Sequence, residues 1–83
     1  MNTLSEKDKT EGIQKFLVSE MKDLYDKKSR LDYSLGSHFI YKEVFSYKND
    51  TKWLEKDVIP ERTEVINKIE KLKAYATLHN ITL

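Results

Sequence analysis

Lys42, Tyr47, Lys48, Lys52 and Trp53 are the residues of this chain best suited to holding another molecule. Rings set among lysines can stack on unpaired bases or anchor a protein interface. Glu43, Asp50, Glu55 and Asp57 interleave with these lysines and cancel their field. A protein is therefore the expected partner, and Tyr47, Lys48, Lys52 and Trp53 form the expected contact patch. The patch belongs to a wider concentration of rings: Tyr33, Phe39, Tyr41, Phe45, Tyr47 and Trp53, six of nine aromatic residues, fall within 21 consecutive positions. That is more ring surface than one short segment usually hides in a small core.

Other chemistry finds little support. His38 and His79 are the only imidazoles, and neither belongs to the Glu-x-x-His or His-x-x-x-His spacings that place metal ligands on one helix face. Asp57, Glu61 and Glu64 share a face if one helix holds all three. Charge at that spacing reads as a solvated helix start rather than a cation site. No serine lies in a Gly-x-Ser-x-Gly elbow, and two glycines cannot build a phosphate-cradling loop. No catalytic, cofactor-binding or metal-ligating residue is expected, and the chain does not read as an enzyme.

Composition narrows the class further. The 83 residues make one domain at most, and a globular chain of this size buries only about 60 to 65% of its unfolded surface. Charged residues make up 35% of the chain, above the usual globular share, and no cysteine is present to staple a thin core. Basic and acidic side chains number seven and seven over residues 1–32, four and four over 33–59, and four and three over 60–83. No third carries the basic surplus that phosphate binding uses, which disfavours nucleic acid and anionic membrane alike. The polar start lacks the apolar run of a secretory signal, and no window approaches the roughly 18 apolar residues of a membrane span. A soluble cytoplasmic protein is expected.

The elements that must position the patch are helices. Leu17, Leu24 and Leu31 recur every seven residues, interleaved with Met21, Lys28 and Leu35, so one apolar seam runs along a first helix over about 5–34. Ser5 is its expected N-cap, with Gly12 a weak point and Gly36 an expected break. Val65, Ile69, Leu72 and Ala76 give a second seam over about 60–79, with Pro60 in the first turn, Asp57 as a candidate cap and 80–83 as a tail. Between them, Ile40, Val44 and Tyr47 suggest the inward face of an aromatic-rich helix over about 38–49, capped by Ser37, with a further turn to 58. Phe39, Tyr41, Phe45 and Tyr47 also alternate as in a strand, but a lone strand would lack a partner for its backbone.

The expected fold is all-α and a single domain: a small three-helix bundle, or an elongated antiparallel helical hairpin that can dimerise into a four-helix bundle. The expected function is a small non-enzymatic protein-binding module acting stoichiometrically on a larger protein, as an inhibitor, immunity factor, assembly chaperone or adaptor. A nucleic-acid-binding regulator is the alternative, and a self-associating helical structural protein the second alternative.

Overall fold

Two seams with the same helical period need only each other, and the chain folds back once to bring them together. The computed structural model describes residues 3–46 and 52–83, and every regular element among them is helical. Helix α1 spans Glu6–Glu43 and helix α2 spans Ile59–Leu78, with a π-helical turn at Leu54–Val58 leading directly into α2. Gln14 meets Thr82, Tyr25 meets Lys73 and Asp32 meets Arg62, so the two arms run antiparallel. At 1.5 Å per residue α1 is about 57 Å long. It therefore sets the shape, which extends 65 × 20 × 19 Å with a radius of gyration of 18.5 Å, against about 12 Å for a compact chain of this size.

This is a helical hairpin and not a three-helix bundle. α1 continues without interruption through Gly12 and Gly36, so Gly36 is no break and Ser37 no cap. A glycine weakens a helix by about 1 kcal/mol, a cost that long flanking turns with a packed seam can absorb. The residues expected to begin a middle helix, 38–43, are the last turns of α1 instead. The helix ends at Val44, whose N–H donates to Ile40 O at 2.9 Å, and Ser46 turns the chain with φ of 57°. The remainder of the expected middle helix, over 47–51, lies outside the described residues.

Three features of the ends follow from local chemistry. Ser5 caps α1 as expected, its hydroxyl accepting from Asp8 N at 3.1 Å. Pro60 offers no N–H to the carbonyl of Lys56, and its ring would crowd that carbonyl in a regular helix. The chain widens at that point: Ile59 N–H donates to Leu54 O, one residue further back than in an α-helix. The arm consequently remains helical on both sides of Pro60, and Asp57 lies within the π turn, making no cap hydrogen bond to α2. At the far end Asn80 takes φ of 55°, and Ile81 N–H returns to Ala76 O at 2.8 Å, closing α2 with a Schellman motif. Thr82 O then accepts from Gln14 Nε2 at 2.9 Å, which lays the tail against α1.

The core is a single seam. Met21, Leu24, Val65 and Ile69 form its buried centre, with Leu31 and Leu72 packed against it, while Leu17 and Ala76 extend it towards the termini. Beside it Asp32 accepts from Arg62 Nε at 2.5 Å and from Lys28 Nζ at 2.8 Å, and Lys27 pairs with Glu61 at 3.0 Å. Lys28 occupies a seam position, so without Asp32 it would bring an unpaired cation to the helix contact. The two donated hydrogen bonds, Lys28 first and Arg62 second, hold the Asp32 carboxyl below its ordinary pKa. Lys73 lies over the Tyr25 ring, 5.4 Å from its centroid, adding a further cross-arm contact.

Candidate protein-binding surface

The loop end of the hairpin is built differently from its middle. The heptad spacing of α1 carries past Leu31 and half-buried Leu35 to His38, which is buried, while Leu54 and Val58 are buried on the other arm. The helical advance of about 100° per residue then dictates what points outward. Tyr33 and Ile40, each two residues past a seam position, lie on the side opposite the seam and are 80% and 51% exposed. Val44 is also exposed. These positions correct the expectation that Ile40 and Val44 line the inward face. That expectation assumed a new helix after Gly36; once α1 continues, its existing seam fixes the orientation of every later residue.

Rings crowd this end. Phe39 stands edge-on to His38 at 5.4 Å between centroids, and Tyr41 leans against Phe45 at 5.6 Å. Tyr33, Gly36, Ser37, Ile40, Tyr41 and Phe45 border a shallow groove of about 390 Å³. Charge is missing along the same stretch: from Tyr33 to Tyr41 no residue is Lys, Arg, Asp or Glu. Asp32 and Lys42 bracket it.

Of the four residues expected to form the contact patch, two can be placed. Lys52 is exposed, and Trp53, 48% exposed, immediately precedes the π turn. Tyr47 and Lys48 lie outside the described residues. Sequence reasoning missed Tyr33 and Ile40 as surface residues. The signal was present in the seven-residue seam, which needed only to be extended across Gly36.

Of the three acidic residues at the spacing of a cation stripe, two are otherwise engaged: Glu61 pairs with Lys27, and Glu64 with Lys68 at 3.2 Å. Among the described residues no three His, Cys, Asp or Glu side chains gather as a metal site, and no helix is long and apolar enough to cross a membrane. His79 stacks on Tyr75 at 4.3 Å near the end of α2, far along the sequence from His38. No protein-family model, no curated protein and no solved structure matches the chain, so the surface has to be interpreted from its own chemistry.

Proposed function

We propose that this protein is a non-enzymatic binding module that acts stoichiometrically on a larger protein, as an inhibitor, immunity factor, assembly chaperone or adaptor. The observation that supports this reading is the half-exposed Trp53 beside Lys52, at the end of the rod where exposed rings concentrate. Tryptophan and tyrosine anchors dominate the energetics of protein interfaces, because a large rigid ring loses little entropy when it is buried. Lysines beside such an anchor steer the encounter and orient the docked partner. Tyr47 and Lys48 complete the proposed patch in sequence.

The test is a binding measurement with the partner that the purified protein retains from its native cell. Trp53→Ala should weaken binding by about 30-fold or more, the equivalent of 2 kcal/mol, while the thermal transition of the free protein stays where it was. Affinity should change little with salt, whereas phosphate contacts would give a steep log-log slope and favour the nucleic-acid alternative. A blue-shifted, quencher-resistant tryptophan emission in the free protein would place Trp53 in the core and overturn the patch.

A further inference from the structure

We propose that two copies of this chain pair through the side of α1 that faces away from α2, antiparallel about a two-fold axis beside Gly36 and Ser37, so that their loop ends form a four-helix assembly. The inference does not depend on the Trp53 patch, which belongs to the other arm.

Charge distribution gives the first argument. A helix that packs on one side and meets water on the other carries its charged residues on the wet side. α1 does so along most of its length, but over Tyr33–Tyr41 it has none on any side. The wet side there presents Tyr33 and Ile40, and depletion of charge with enrichment of rings is the composition of an interface centre.

The order of residues along that side supplies the second argument. Tyr33 lies three residues before Gly36, and Ile40 three residues after Ser37, so a bulky side chain flanks a small pair symmetrically in both directions. A two-fold axis through the small pair sets each Tyr33 against the Ile40 of the other copy, the self-complementary pattern that an isologous interface requires. Among the described residues nothing requires glycine at 36, since a Cβ there would meet none of their atoms within 4 Å and its φ is not positive. Between two helices, the same missing side chain permits close backbone approach.

Surface area provides the third argument, since the chain has enough of it to supply an interface of ordinary size. The chain exposes 6865 Å², whereas a compact folded monomer of its mass exposes about 5,200 Å². The excess of roughly 1,700 Å² is ample for a standard interface, which covers about 800 Å² on each partner. A net charge of +1 per chain creates no long-range repulsion between copies.

Light scattering across the micromolar to millimolar range should show the mass rising to twice the 9.9 kDa of one chain. Ile40→Lys and Tyr33→Glu, each placing a charge on the wet side, should return the mass to that of one chain with unchanged helical circular dichroism. The chain has no cysteine, so single-cysteine variants are unambiguous reporters. Ser37→Cys, at the axis, should link two chains rapidly with a short bifunctional thiol reagent, while Lys22→Cys, more than three turns away on α1, should not. A single-chain mass for the parent throughout the range would overturn the proposal. So would a doubled mass that both charge variants retain, or a Lys22→Cys variant that links as fast as Ser37→Cys, which indicates a parallel pair.

Discussion

The middle of the hairpin and its loop end use the same helix, α1, in opposite ways. In the middle each arm contributes one apolar stripe, Met21, Leu24 and Leu31 facing Val65, Ile69 and Leu72, and paired charges line its border. At the loop end the seam continues as His38 with Leu54 and Val58, yet α1 is also apolar on its far side, with Tyr33, Ile40 and Val44 exposed. The middle is therefore organised to hold two helices together. The loop end carries more apolar surface than that task requires.

Substitution should separate the two regions most sharply in their effect on stability. Leu24→Ala and Ile69→Ala each empty a buried seam position and are expected to cost about 2 to 5 kcal/mol, measured by chemical denaturation. For so small a domain that is a large part of the total. Ile40→Ala, measured at a concentration where single chains prevail, should stay within about 0.5 kcal/mol of the parent. Equal losses at Leu24 and Ile40 would abolish the distinction between the regions.

A smaller effect of opposite sign is expected at Gly36. The position is helical and a methyl group there meets open space, so Gly36→Ala should raise single-chain stability by up to about 1 kcal/mol. A loss instead would mean that α1 bends or ends near Gly36 in solution, restoring a division of the chain into three helices.

The smallest effect concerns the charged border of the middle region. Asp32 has a folded-state pKa below its unfolded value, so its contribution is present above about pH 4 and disappears as the pH falls through the folded value. Asp32→Asn should therefore flatten the decline in stability on acidification below about pH 4, while leaving the loop end unaffected. The side chain is about two-fifths exposed, and solvent screening keeps the change modest. An unaltered acid limb would show that the Lys28 and Arg62 hydrogen bonds do not persist in solution.

The contrast also explains what could be read from the sequence. The helical class, the Ser5 cap, both seams and the place of Pro60 near the start of α2 were legible because each is a local pattern of period or capping chemistry. The number of helices was not. Gly36 carries a stop signal by propensity, and whether a helix obeys such a signal depends on the packing of Leu31, Leu35 and His38 on either side of it. The π turn was hidden for a related reason: a proline can begin a helix or widen one, and which it does depends on whether the turn before it is already helical. For the candidate surface, the sequence named Trp53 by its residue type alone, and its half-exposure is a property of the fold. Tyr33 and Ile40 had to await a continuous α1, since their orientation follows from its phase.

The tie between Gln14 and Thr82 brings the start of α1 and the tail after α2 to one end of the rod, with the end of α1 and the π turn at the other. That arrangement fixes how the protein would bear mechanical load. Tension applied at the two ends would act on the Gln14–Thr82 layer first, then on Leu17 and Ala76, and only afterwards on the central cluster. The arms would part like a zipper, one layer at a time, so the force resisted at any instant is that of a single layer. The same rod pulled between one end and the turn would load a single arm along its own axis, through its backbone hydrogen bonds, and would be far stiffer in that direction.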